Sequence, residues 1–94
     1  MTDRILTQHP QGKRGVNIEK SKYDTVKAAI LDVLDGKFLT HTELIRQVSD
    51  KLSGNFDSSI NQYTELVTLD LEARHIIERD TSLSPARYRM SNIT

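Results

Sequence analysis

Three arginines late in the chain, Arg79, Arg87 and Arg89, and the pair Lys13-Arg14 near its start are the side chains best suited to chemistry in these 94 residues. Arg87 and Arg89 alternate with Ala86, Tyr88 and Met90. A period of two puts both guanidinium groups on the open face of a half-buried strand. There they can meet phosphates or enter a minor groove, or remain ordinary solvated arginines. Ser59, Asn61 and Gln62 fall on the first turn of a predicted helix. Amide side chains there can pair bidentately with adenine, or be no more than exposed polar residues beside a cap. Arg74 closes that helix, spaced to form a structural ion pair with Asp70 or Glu78.

Other chemistries find little support. His9, His41 and His75 are too scattered for metal-ligand spacing. Zero cysteines exclude disulfides, thiolate catalysis and cysteine-bound zinc. There is no GxSxG, P-loop, HExxH or dinucleotide fingerprint, and the carboxylates follow helix exteriors with no second element to pair them. Gly12-Lys13-Arg14-Gly15 matches the GxxG loop of KH domains, but that loop needs a helix on each side and none is predicted before it. The chain is therefore not expected to be an enzyme, and no cofactor or metal is expected.

The elements that must position these residues follow from periodicity. Residues 1–20 show no helical or strand period and include the breakers Pro10, Gly12 and Gly15. They read as an extended N-terminal arm, which lies on the body through Ile5, Leu6, Val16 and Ile18, swaps onto a second chain, or stays partly disordered. Helix 1 is predicted from Ser21, where Ser21-x-x-Asp24 resembles a capping box, to Gly36. Its apolar stripe is Tyr23, Val26, Ile30, Val33 and Leu34. A short strand is expected at Phe38-Leu39. Thr40-His41-Thr42-Glu43 is a second capping box opening helix 2, with Leu44, Ile45, Val48 and Leu52 inward and Ser53-Gly54 as its end. Phe56 should plug the turn to helix 3. That helix is capped by Asp57 or Ser58, with Ile60, Tyr63, Leu66, Val67 and Leu71 inward and Ser59, Asn61, Gln62, Glu65 and Thr68 outside. Two strands joined by Asp80-Thr81-Ser82-Leu83-Ser84-Pro85 complete the chain.

The expected fold is mainly α with a small β-hairpin. It is a winged helix of order α-β-α-α-β-β, a helix-turn-helix plus wing, occupying residues 21–94 behind the 1–20 arm. A chain of this size buries roughly 60 to 65% of its unfolded surface, enough for one core. No stretch approaches the roughly 18 apolar residues of a membrane span, and Met1-Thr2-Asp3-Arg4 lacks a signal peptide's apolar run, so a cytoplasmic protein is expected. Net charge is zero but unevenly spread. Residues 1–22 carry five cations against Asp3 and Glu19, residues 23–73 carry four against nine acids, and residues 74–94 carry four arginines against two acids. Basic arm and wing thus flank an acidic body.

At Phe56-Asp57-Ser58-Ser59-Ile60 with Tyr63, at Leu69-Asp70-Leu71-Glu72-Ala73-Arg74 and at Ile77-Glu78-Arg79, the chain resembles a family of small bacterial proteins of unknown function. The likeness extends to Gly12-Lys13-x-Gly15-Val16-x-Ile18, to Tyr23 and Ala29-Ile30-Leu31, and to Pro85-x-Arg87. It implies a winged-helix-like fold and supplies no activity, ligand or catalytic residue. Where members often carry a bulky aromatic and a late basic residue in helix 3, this chain has Gln62 and Thr68.

Two functions are compatible with these patterns. One is a winged-helix DNA-binding protein, a small transcriptional regulator touching double-stranded DNA through Lys13, Arg14, Ser59, Asn61, Gln62, Arg79, Arg87 and Arg89, and able to act as a homodimer through its arm. Against it stand Asp57, Glu65, Asp70 and Glu72 on or beside helix 3, which repel phosphate. The other is a protein-interaction or dimerisation module on the same fold, without DNA binding.

Overall fold

The computed structural model describes residues 3–54, 59–82 and 84–91. Eight elements follow one another: β1 (Arg4–Leu6), β2 (Asn17–Glu19), α1 (Lys20–Leu34), β3 (Leu39–Thr40), α2 (His41–Leu52), α3 (Ile60–Ala73), β4 (Ile77–Asp80) and β5 (Arg87–Met90). From α1 onward the order is the expected α-β-α-α-β-β. Among the described residues the fold is thus small and mixed, with three helices and two small antiparallel sheets.

The arm corrects the sequence reading. Residues expected to be extended and free of strand pattern form a hairpin, with Arg4 opposite Glu19, Ile5 opposite Ile18 and Leu6 opposite Asn17. Strands of three residues are too short for a period of two to stand out. Ile18 is buried and Ile5 packs against the same core, whereas Leu6 and Val16 are exposed. Thr7 donates its amide to the Val16 carbonyl at 2.9 Å, while its hydroxyl accepts the Val16 amide at 2.9 Å. Gly15 lets the two chains approach this closely, since a Cβ there would stand 1.6 Å from the Thr7 carbonyl oxygen. The Gly12 to Gly15 run accordingly lies in a strand-to-strand loop, not between helices.

Because β2 runs straight into α1, the helix begins at Lys20 with Glu19 as N-cap and no side-chain cap bond. The expected Ser21 capping box does not form. The Lys20–Asp24 ion pair at 2.8 Å braces the first turn instead. The helix ends as expected: Asp35 is the C-cap and Gly36 follows at φ +67°, a conformation that costs glycine nothing. α2 opens with the complete capping box, Glu43 N–H donating to Thr40 Oγ1 at 3.2 Å and Thr40 N–H donating to the Glu43 carboxylate at 2.9 Å. The N-cap of α3 is Ser59 and not the expected Asp57 or Ser58; those two, Phe56 and most of the preceding turn lie outside the described residues. α3 ends in a Schellman motif, Ile76 N–H reaching the Leu71 carbonyl and His75 N–H that of Glu72. His75 holds the left-handed position at φ +63°.

The second sheet has strand order β3-β5-β4, with Leu39 opposite Tyr88 and Arg79 opposite Tyr88 on its other side. Between helices and sheet sits one core. Val26, Ile30 and Leu34 of α1, Leu44 and Val48 of α2, Val67 and Leu71 of α3, and Ile77 of β4 are all shut off from solvent. Each large aliphatic chain so buried contributes about 1.5 to 3 kcal/mol. Two α3 residues depart from expectation. Thr68, read as exterior, is buried, and so is Asp70.

Candidate functional site

The eight residues expected to bind nucleic acid fall in the β1–β2 loop, at the start of α3 and on β4 and β5. Lys13 and Arg14 are exposed in the loop joining β1 and β2, without a carboxylate partner among the described residues. Ser59 is occupied as the N-cap, its hydroxyl accepting the Gln62 amide at 3.5 Å, and Asn61 and Gln62 are exposed beside it. Arg79 is exposed on β4. The two arginines of β5 are paired with carboxylates. Arg87 Nη1 stands 3.7 Å from Glu43 and donates to the Phe38 carbonyl at 3.4 Å. Arg89 donates to Glu78 through Nε at 3.1 Å and approaches it through Nη2 at 3.0 Å, its guanidinium 5.8 Å from the centre of the Phe38 ring. The Glu43 carboxyl is held below its ordinary value, first by the Thr40 amide and hydroxyl and then by the nearby Arg87 and Arg46 charges.

The exposed side of α3 presents Asn61, Gln62 and Glu65, and the helix carries no Lys or Arg before its C-cap Arg74. Glu65 lies 3.5 Å from His41 Nε2, at the start of α2. His41 and Thr42 form a ridge between two open clefts. One, of about 380 Å³, runs along α2 past Ile45, Arg46 and Asp50 to Asn61. The other, of about 410 Å³, lies between the start of α2 and the β4–β5 ribbon, against Arg79, Pro85, Ala86 and Tyr88. Burial, followed by the Glu72 charge, pushes the Tyr88 hydroxyl above its ordinary pKa. Among the described residues, no group of three or more His, Cys, Asp or Glu side chains is placed to hold a metal ion. Nor is any helix among them long and apolar enough to cross a membrane.

The most elaborate polar arrangement surrounds Asp70, wholly shielded from solvent on α3. Oδ1 accepts the Gln8 amide at 2.8 Å, and Oδ2 accepts the Tyr23 hydroxyl in a short hydrogen bond. Arg74 Nε donates to both oxygens, at 3.0 and 2.9 Å. One carboxylate thereby ties arm, α1 and α3 together. Hydrogen bonds to a charged group are worth about 1.5 to 3 kcal/mol each, and a buried charge without them would be costly. All its oxygens being engaged, Asp70 is a clamp and has no capacity left for a substrate. Burial, then the Asp70 hydrogen bond and charge, hold the Tyr23 proton well above the tyrosine range.

Of the two partners open to Arg74, Asp70 is the one taken. Its burial corrects the expected repulsion as well: a shielded, paired Asp70 does not present its charge to a phosphate. One signal was available. Asp70 lies three residues after Val67 and seven after Tyr63, on the inward stripe.

Fold and site together define a small three-helix α/β protein whose N-terminal hairpin is clamped to the helical body by a buried carboxylate. A comparison with known families matches residues 4–88 to a family of unknown function (DUF6958), and the chain belongs to that family. No curated protein and no solved structure matches it.

Proposed function

We propose that this chain is a winged-helix module that binds another protein through α3 and the wing, without engaging duplex DNA. The winged-helix assignment rests on the α1-β3-α2-α3-β4-β5 order with strands β3-β5-β4, a helix-turn-helix followed by a β-ribbon. The choice of partner rests on one observation. Arg87 and Arg89 are paired with Glu43 and Glu78, beside an α3 face that offers Glu65 and no cation. To reach phosphates, each arginine would leave a carboxylate behind near the same anion, cancelling most of the gain from counterion release.

A second reading, DNA contact through the arm, is favoured by the exposed Lys13 and Arg14. Fluorescence anisotropy of a labelled random duplex at about 50 and about 200 mM salt separates the two. The expected result is no binding at either concentration. Salt-steep binding that disappears in a Lys13→Ala, Arg14→Ala double variant would overturn the proposal in favour of the arm. Protein binding is tested by a photo-crosslinker at Asn61 or Glu65 in cells: a discrete adduct is expected there and none at Thr25, on the exposed side of α1.

A further inference from the structure

The N-terminal hairpin has two edges, and they are treated differently. Ile5 faces Ile18 across the ladder, and inward bonds flank that pair, from Thr7 N–H to the Val16 carbonyl at 2.9 Å and from Lys20 N–H to the Asp3 carbonyl at 2.8 Å. Antiparallel alternation therefore turns the amides and carbonyls of Arg4 and Leu6 outward on β1, and those of Asn17 and Glu19 outward on β2. On β2 one outward carbonyl is covered: Arg4 reaches over, its Nη2 donating to the Asn17 carbonyl at 3.0 Å and its Nε to the Asn17 side chain at 2.8 Å. On β1 no partner is found for the outward groups among the described residues. Leu6 stands there 61% exposed, and Val16 nearby is 44% exposed. Only one other large hydrophobic among the described residues, Phe38, is exposed. An open strand edge carrying an exposed leucine is a template for a further strand.

We propose that the β1 edge binds a second copy of this chain, the two β1 strands pairing antiparallel about a two-fold axis at Ile5. Two hairpins then form one four-stranded sheet in the order β2-β1-β1-β2. The second copy is the favoured occupant because the two-fold sets the outward groups of Arg4 against those of Leu6 in both directions. The edge is thus self-complementary, as an isologous interface requires. Up to four backbone hydrogen bonds form, and each Leu6 lies along the aliphatic stem of the other copy's Arg4. At β2 the Arg4 side chain over the Asn17 carbonyl and the direct run of the strand into α1 at Lys20 disfavour a further strand, so the sheet stops at four. With only three residues in each strand the interface is small, so the dimer is weak and concentration-dependent. No residue of α2, α3 or the wing takes part, and the DNA titration above does not bear on it.

Sedimentation velocity of the full chain from about 10 µM to about 1 mM covers the range in which so small an interface associates. The weight-average mass is expected to rise from monomer toward dimer. In parallel, amide exchange at Arg4 and Leu6 should slow with concentration, while that of Ile5, already bonded within the hairpin, should not change. Leu6→Lys, which keeps the fold and puts a charge on the open edge, should weaken the dimer about tenfold or more. A wild-type chain that stays monomeric throughout overturns the proposal. So does a dimer that Leu6→Lys leaves intact, or one whose Arg4 and Leu6 amides exchange at the monomer's rate.

Discussion

Replacing Asp70 by asparagine keeps the shape of the side chain while removing its charge and turning one acceptor into a donor. Three groups presently donate to the carboxylate, the Gln8 amide, the Tyr23 hydroxyl and Arg74 Nε. An asparagine oxygen can serve one side of that set, leaving the new NH2 pointed at a donor on the other. Losing one charge-assisted bond costs about 1.5 to 3 kcal/mol, and reducing the others to neutral strength about 1 kcal/mol more. Arg74 is 32% exposed and can turn to water. That holds the expected cost near 3 to 4 kcal/mol, toward the low end of what a one-sided break of a buried ion pair brings. For a domain of this size the melting temperature should drop by roughly 12 to 25 °C. In urea the midpoint should fall with the slope unchanged, and the Gln8 amide should lose its exchange protection. A double-mutant cycle with Tyr23→Phe should show a coupling above about 0.5 kcal/mol, since both changes act on one hydrogen bond. An Asp70→Asn variant within about 1 kcal/mol of wild type, additive with Tyr23→Phe, would refute the clamp.

Three other outcomes are expected. His75→Gly should stabilise the protein by about 0.5 to 1 kcal/mol in urea unfolding, because a left-handed residue at a Schellman position suits glycine and His75 is exposed there. Gly15→Ala should cost about 1 to 3 kcal/mol, since the added methyl would meet the Thr7 backbone. Amide exchange should place the damage at Thr7 and Val16, with the helices intact. The third concerns alkaline pH. The Tyr23 pKa is raised in the fold from its ordinary value of 10.0, so the fold favours the protonated hydroxyl. Its contribution is whole below that value and is lost as pH rises through the folded pKa. Urea midpoints at about pH 9 and about pH 11 should therefore fall more for wild type than for Tyr23→Phe, and equal losses would contradict the assignment.

Much of the helical body was legible because its signals are local. The Thr40 to Glu43 capping box needs only four residues, and the stripes Val26-Ile30-Leu34, Leu44-Val48-Leu52 and Val67-Leu71 repeat at helical spacing. The alternation of Arg87, Tyr88 and Arg89 placed the last strand correctly, with Tyr88 buried. The Ser21 cap failed because a capping box specifies a helix start only when nothing upstream has already arranged the chain, and here β2 delivers it into the helix one residue earlier.

The candidate site was less legible, for a reason that particular residues make plain. Sequence put Arg87 and Arg89 on a strand's open face, yet their availability depended on Glu43, 44 positions away, and on Glu78 across the β4–β5 turn. Likewise Asp70 falls on the inward stripe of α3, but beside Arg74 its partners are Gln8, 62 residues earlier, and Tyr23, 47 earlier, which no local spacing indicates. By itself the sequence determined where the helices run, how α2 is capped and the apolar stripes that face inward, since those follow from neighbours within a turn or two. The tertiary structure alone decided that the arm folds back as a hairpin, which groups hold the buried carboxylate and that Arg87 and Arg89 are paired with Glu43 and Glu78. Each depends on contacts between residues distant in sequence, which local periodicity does not specify.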